Sequence, residues 1–336
     1  MDTERASPRY CDIDRWEPAE VLHALIEGQM AAVAAVRAAL PGIERAARAI
    51  EARLQRGGRL IYAGAGTSGR LAIQDGAELG PTFNWPADRL LFLMAGGKDA
   101  LLRSAENAED KTVQAAKLVK QHRIAAPDIV IAVTASGTTP FTLECLRQAK
   151  RRGALTVGIA NNSGTPILQE ADRAIWLDTG PEPIAGSTRM KAGTAQRVAL
   201  NLLSSLVMIR LGRVYGGLMV DVRATNAKLA RRSEDILRRI TGRDEADVRD
   251  ALRRAAGNVK LAVLLLHGRD PDEAGRALER AGGRLRAALR QVGHREAKAP
   301  RGAPKRAAHG RKAAVSRVRQ RPNRRNPARP INSARR

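Results

Sequence analysis

Aromatic residues are scarce in this chain of 336 residues, at 3% of the total. A core must therefore be built from Leu, Ile, Val and Ala. With 43% hydrophobic residues there is material for one large domain and a smaller one. Cysteine is scarcer still. Cys11 and Cys145 form no C-x-x-C pair, which excludes a disulfide framework and suits a reduced, cytoplasmic setting. The five histidines (His23, His122, His267, His294 and His309) are scattered. None has a partner at zinc-ligand spacing, so no metal site is expected. An unbroken run of about 18 apolar residues is also missing, so no membrane span is expected. The opening MDTERASPRYCDIDRW is charged and holds no apolar signal core, which argues against secretion.

Acids are few as well: 34 Asp and Glu against 59 Lys and Arg leave a net charge of +25. Residues 295–336 hold 15 Lys and Arg and one acid, Glu296. That stretch, rich in Pro, Ala and Arg and without apolar periodicity, reads as a basic disordered tail over 293–336. Such a segment permits contact with nucleic acid or an anionic surface. It contains no aromatic residue to stack on bases, which favours a plain solvated extension instead.

What is present is an alternation. Residues 18–56 read as helices, because Leu22, Ala24, Leu25, Ala32, Val33, Val36 and Leu40 recur at three-to-four spacing. Then RLIYAG (59–64), LLFLMAGG (90–97), DIVIAVTASG (128–137), ALTVGIAN (154–161) and RAIWLDT (173–179) read as five short apolar strands. Between them GRLAIQDGAEL, residues 99–122 and PFTLECLRQAKRR read as helices. Short apolar strands alternating with helices predict an α/β fold with a parallel sheet covered on both faces. A long helix over 190–211 follows, and residues 224–292 read as helical only, a small appendix.

Two loops at strand ends carry the chemistry. Gly64-Ala65-Gly66-Thr67-Ser68-Gly69 follows the first strand, and Thr134-Ala135-Ser136-Gly137-Thr138-Thr139-Pro140 follows the third. Both offer hydroxyls, backbone N–H groups and a following helix N-terminus, where open α/β sheets bind phosphate. The first also fits the dinucleotide pattern G-x-G-x-x-G, but that pattern needs an acid about 20 residues on. The second strand ends instead in Ala95-Gly96-Gly97-Lys98. A terminal phosphate on a small molecule is the better reading.

GTSGR followed by S-G-T-T-P resembles the sugar isomerase (SIS) fold, which binds phosphosugars. Longer pieces resemble the N-acetylmuramic acid 6-phosphate etherases: YAGAGTSGRL, D-x-A-E-x-x-P-T-F, A-E-x-A-E-D, GSTRMKAGTAQ, MIRLGRVYGGLMVDVRATNAKL and the opening Thr3-Glu4-Arg5. The likeness covers residues 3–290 and leaves the tail outside. It implies an SIS-type three-layer sandwich with a central five-stranded parallel sheet. The expected organisation is an N-terminal helical segment (1–55), a phosphosugar-binding domain (56–220), a small helical, UBA-like domain (221–292) and the tail.

By the same resemblance the chain is a cofactor-free lyase acting on N-acetylmuramic acid 6-phosphate, as a homodimer with the site between subunits. Glu78 matches the acid that protonates the departing lactate, and Glu109 matches the base that takes the carbon-2 proton; the residues alone do not separate Glu109 from Glu106. Gly66, Thr67, Ser68, Ser136, Gly137 and Thr138 match the phosphate cradle, with Thr134 and Thr139 as weaker candidates. Ser187, Arg189 and Lys191 open the long helix. There Ser187 or Thr188 is expected to cap, and Lys191 to reach a sugar oxygen or the phosphate. Asp75, one turn before Glu78, is expected to raise the Glu78 pKa through like charge and partial burial.

The chain departs from the family's usual pattern at Gly76, Ala77 and Gly80, and Gly76 within a helix costs about 1 kcal/mol relative to Ala. Two other activities compete. A phosphosugar sensor such as the glucokinase regulatory protein shares these motifs, but it has two such sheets and no need of both carboxylates. An aldose–ketose isomerase would use the same carbon-2 proton abstraction.

Overall fold

The structure, a computed structural model, describes residues 1–103, 105, 107–222 and 227–293. The expected basic tail lies outside the described residues but for Gly293, as does Glu106.

The chain opens with three 3-10 turns and then α1 (Pro18–Leu54). The alternation follows: β1 (Leu60–Gly64), α2 (Gly66–Ala77), α3 (Leu79–Phe83), β2 (Leu90–Met94), α4 (Thr112–Gln121), β3 (Ile129–Val133), α5 (Pro140–Arg151), β4 (Leu155–Ala160), α6 (Pro166–Glu170), β5 (Arg173–Trp176) and α7 (Lys191–Arg210). A short hairpin, β6 (Val214–Tyr215) with β7 (Leu218–Met219), leads to α8 (Ala227–Thr241), α9 (Glu245–Arg254), α10 (Val259–Leu266), α11 (Pro271–Arg280) and α12 (Leu285–Gln291).

The five strands form one sheet in the order β2-β1-β3-β4-β5, parallel throughout. Successive residues of a strand face opposite sides, and the core divides accordingly. Leu60, Tyr62, Ile131 and Val157 pack with α1, α2 and α7 on one face. Ile61, Ala63 and Val130 pack with α4 and α5 on the other. This is the expected three-layer sandwich. The inner strands β1, β3 and β4 are buried along their whole length, which is why they read as unbroken apolar runs. A separate cluster around Leu237, Val248, Val263 and Leu289 forms the core of the C-terminal helices.

Three local expectations change. The stretch expected as several helices forms one, Pro18–Leu54, although Pro41 lies inside it. An interior Pro costs a helix about 3 kcal/mol, and burial of Val36, Ile43, Ala47, Ile50 and Leu54 outweighs that. By length and composition alone α1 is long and apolar enough to cross a membrane, although it holds no unbroken run of about 18 apolar residues. Its buried residues, Val36, Ile43, Ala47, Ile50 and Leu54 among them, pack on the sheet and α7, and Glu51 pairs with Arg210 and Arg284. Residues 99–122 are not one helix: 3-10 turns at Lys98–Leu101 and Ala108–Asp110 precede α4, with Asn107 in the left-handed region (φ 56°) breaking the run.

Glu78 lies not within a helix but at the junction of α2 and α3. Pro81 has no N–H for the Ala77 carbonyl and its ring would clash there, so α2 stops and a new turn starts with Pro81 inside it. Gly76 has a packing reason, since a Cβ there would lie 2.6 Å from Phe92 Cε1 and 3.0 Å from Tyr62 Cε2.

Candidate active site

Strand β1 has β2 on one side and β3 on the other, so the connections leave it in opposite directions. This is the switch point where open sheets place a ligand. Gly64 and Val133 are neighbours in register, which sets the two loops side by side. Helix α2 begins at Gly66 itself, with no side-chain cap. The first amides of a helix have no partner within it, so those of Gly66, Thr67 and Ser68 suit an anion. The chain can approach this closely because Gly64 and Gly69 lack side chains: a Cβ on Gly64 would lie 2.7 Å from the Gly69 Cα.

The second loop is internally tied. Thr134 Oγ1 lies 2.7 Å from Thr139 Oγ1 and 3.2 Å from Ser136 Oγ, and it accepts from the Gly137 amide at 3.3 Å. The Thr138 amide donates to Ser136 Oγ at 3.2 Å. Thr134 is buried and holds the loop's shape, while Thr138 faces solvent. Gly137 takes a φ of 78°. A Cβ there would meet Thr165 Oγ1 at 2.2 Å.

Glu109, exposed on its 3-10 turn, reaches back to the first loop. Its Oε1 lies 2.8 Å from where a Cβ on Gly66 would stand, and Gly66 has a φ of 53°. The structure thus brings Glu109 to the loop. Glu78 lies elsewhere. Helix α2 has 12 residues, so Gly66 and Glu78 are about 18 Å apart along its axis.

Glu78 lines a small cavity of about 280 Å³ with Asp75, Leu79, Phe83, Arg197 and Asn201. It is exposed, so the partial burial expected for it is not supplied by this chain. Asp75 is the buried member, 2% exposed. Tyr62 Oη donates to its Oδ2 at 3.0 Å, and Ser204 Oγ donates to its Oδ1 at 3.2 Å. Arg197 Nη1 stands 3.4 Å from Oδ1. Burial raises the Asp75 pKa, while the Ser204 and Tyr62 hydrogen bonds and the Arg197 charge pull it down. The Tyr62 hydroxyl, buried beside that carboxylate, is pushed well above its usual value and stays neutral.

At the start of α7 the expected cap is corrected. The helix has no side-chain cap at its first residue. The buried carboxylate of Glu182 takes that place instead, accepting from the Lys191 amide at 2.8 Å and the Ala192 amide at 2.9 Å. Burial raises the Glu182 pKa against those two bonds. Nine residues of separation exceed any capping-box spacing, so nothing local signalled it. Lys191 Nζ donates to the Pro181 carbonyl at 3.0 Å, its stem against Gly28 of α1. That bond uses one of the three N–H donors of the ammonium. Ser187 is half-buried and Arg189 is exposed.

Thr3 is fully buried and locks the N-terminus onto this region. Asn162 Nδ2 donates to Thr3 Oγ1 and to the Ala135 carbonyl, both at 2.9 Å, and the Gly186 amide donates to the Thr3 carbonyl at 3.0 Å.

Comparison with known proteins gives two family matches: the glucokinase regulatory protein N-terminal SIS domain over residues 43–150, and the SIS domain over residues 111–206. The chain is 50% identical over 264 residues to the N-acetylmuramic acid 6-phosphate etherase of Deinococcus radiodurans, spanning 79% of this chain and 87% of that one. It is 45% identical to the enzyme of the same name from Streptomyces avermitilis, over 79% of this chain and 86% of that one. For the one from Aeromonas hydrophila the identity is 42%, over 79% and 89%.

Proposed function

The chain belongs to the N-acetylmuramic acid 6-phosphate etherases, and from that premise we infer the reaction its residues run. It is a carbon–oxygen lyase that cleaves the D-lactyl ether of N-acetylmuramic acid 6-phosphate, giving N-acetylglucosamine 6-phosphate and D-lactate. In the open-chain sugar the aldehyde acidifies the carbon-2 proton. Glu109 removes that proton, the carbon-3–oxygen bond breaks, and Glu78 protonates the departing lactate oxygen. Water then adds to carbon 3 of the unsaturated aldehyde, and a proton returns to carbon 2. Two carboxyl groups in opposite protonation states suffice for this.

The observation that carries this reading is the approach of Glu109 to Gly66. It supports Glu109 as a base beside the loop, which in this reading takes the 6-phosphate through Gly66, Thr67, Ser68, Ser136, Gly137 and Thr138. The substrate is held by its phosphate while the base works on the same sugar.

The separation along α2 supports a second part of the proposal, a homodimer with shared sites: Glu78 of one subunit meets Glu109 and the loops of the other. The outward face of α1 carries Leu22, Ile26, Met30, Val33 and Leu40, and α7 adds Leu202 and Ile209. Adjacent apolar faces of this extent mark an interface. We read residues 221–292 as a separate small helical domain. A phosphosugar dianion does not cross a bilayer unaided, which fits a cytoplasmic enzyme.

The test is incubation with N-acetylmuramic acid 6-phosphate in oxygen-18 water. Release of D-lactate with heavy oxygen on carbon 3, abolished by Glu78→Gln, is the expected result. Binding without lactate release overturns the lyase reading in favour of a phosphosugar sensor.

A further inference from the structure

The substrate carries a second anion besides its phosphate. The lactyl group ends in a carboxylate only two bonds from the ether oxygen. Whatever group protonates that oxygen therefore has the carboxylate as a close neighbour. Glu78 is itself an acid, and Asp75 lines the same cavity. An uncompensated lactyl carboxylate there would face two acidic side chains.

The cavity holds one cation, Arg197, projecting from α7. Its side chain is 34% exposed. Among the described residues its guanidinium has one polar partner, the long 3.4 Å contact to Asp75. Asp75 does not depend on that contact, because Tyr62 donates to one of its oxygens and Ser204 to the other. A guanidinium has five N–H donors in a planar fork that matches a carboxylate in bidentate fashion. Most of that fork is available. Leu79 and Phe83 supply an apolar wall, and the Asn201 amide stands beside it.

We infer that Arg197 is the binding residue for the lactyl carboxylate, and that the Glu78 cavity is the subsite that selects the leaving group. This deepens the etherase reading and rests on it. Arg197 holds the carboxylate, Glu78 is left facing the ether oxygen, and the methyl group lies against Leu79 and Phe83. Asp75, fixed by Tyr62 and Ser204, keeps the guanidinium at the cavity wall as a positioning residue. Proton transfer remains with Glu78 and Glu109.

The test compares two ethers of N-acetylglucosamine 6-phosphate at carbon 3: the natural D-lactyl ether, and the ethyl ether that lacks the carboxylate. Their intrinsic reactivities differ, but that difference cancels when the kcat/KM ratio of wild type is divided by that of a variant. Arg197→Met should lower kcat/KM for the lactyl ether by about 10–100-fold, the range for a hydrogen-bonded charge, and leave the ethyl ether unchanged. Arg197→Lys, which keeps the charge without the fork, should recover part of the loss. Turnover of the ethyl ether shows that each variant is folded, and the lysine variant decides if the methionine one is not.

An equal loss on both ethers, or a ratio that does not move, overturns the assignment while the etherase reading stands. Wild-type protein that releases nothing from the lactyl ether sinks both.

Discussion

The two ends of α2 are built in opposite ways. At its N-terminus the helix offers backbone: the amides of Gly66, Thr67 and Ser68, a glycine at φ 53°, and a carboxylate, Glu109, brought in from the turn after β2. At its C-terminus it offers side chains: Glu78 at a helix break, Asp75 buried beneath it, and Tyr62, Ser204 and Arg197 gathered from β1 and α7. Phosphate is a symmetric dianion, and amides with a helix dipole recognise it without asking much of the side chains. The lactyl ether needs a proton donor and, by our inference, a cation in fixed places, which only packed side chains supply. The start of α2 and Glu78 at its end lie about 18 Å apart, so in the proposed reaction the two halves come from different chains.

The sharpest way to break this comparison is to disable each end separately. Glu78→Gln and Glu109→Gln should each lower kcat by about 10²–10⁴-fold, the usual contribution of a general acid or base. If the two ends act across a two-fold interface, mixing and re-equilibrating the two dead variants should restore about a quarter of wild-type activity, since half the dimers are mixed and each regains one site. No recovery on mixing would place both carboxylates in one chain's site.

Gly66→Ala tests the backbone end next. A side chain at that φ costs about 1–2 kcal/mol and meets Glu109 Oε1. A misplaced base should cut kcat by about 100-fold with a smaller change in KM. Ser68→Ala should raise KM by about 10-fold with kcat little changed, the loss of one charge-assisted bond to phosphate.

Stability gives the smaller effects. Glu182→Ala removes the carboxylate that caps α7 and should lower stability by about 1–2 kcal/mol, read as a lower Tm. Asp75 gives a pH effect. Its folded pKa is raised by burial, so the folded state holds that proton more tightly than the unfolded chain. The resulting stability is fully present below the usual carboxylate pKa of 3.8 and is lost as pH rises through the folded value. Asp75→Asn removes this dependence. Denaturant titrations should show wild type losing stability relative to the variant as pH rises from below 3.8 toward neutrality; an unchanging difference would mean that Asp75 does not titrate between the two states.

Much of this was legible in the residues. Strands β1, β3 and β4 are buried on both faces, so each had to be a continuous apolar run between turn residues. The two loops were visible for a related reason: close approach and positive φ demand glycine, and the hydroxyls cluster beside it. The helix break at Glu78 could have been read from Pro81, whose effect four residues back is local. Other features had no local trace. Glu182 caps a helix that starts nine residues later, and Gly76 is required by the rings of Phe92 and Tyr62 on neighbouring strands. The choice of Glu109 over Glu106 came from resemblance, and the approach of Glu109 to Gly66 joins the turn after β2 to the start of α2.

The sequence by itself determined the sheet and the two loops at its strand ends, because both are written in short-range patterns of apolar period, glycine and hydroxyl; the family came from the resemblance of longer motifs such as GSTRMKAGTAQ. Only the tertiary structure brought Glu109 to the first loop, buried Asp75 and set Glu78 in a cavity with a guanidinium. Arg197 and Asp75 are 122 residues apart in the chain. They meet because α7 packs against α2 over the sheet, and no local pattern encodes a contact made by the closing of a core.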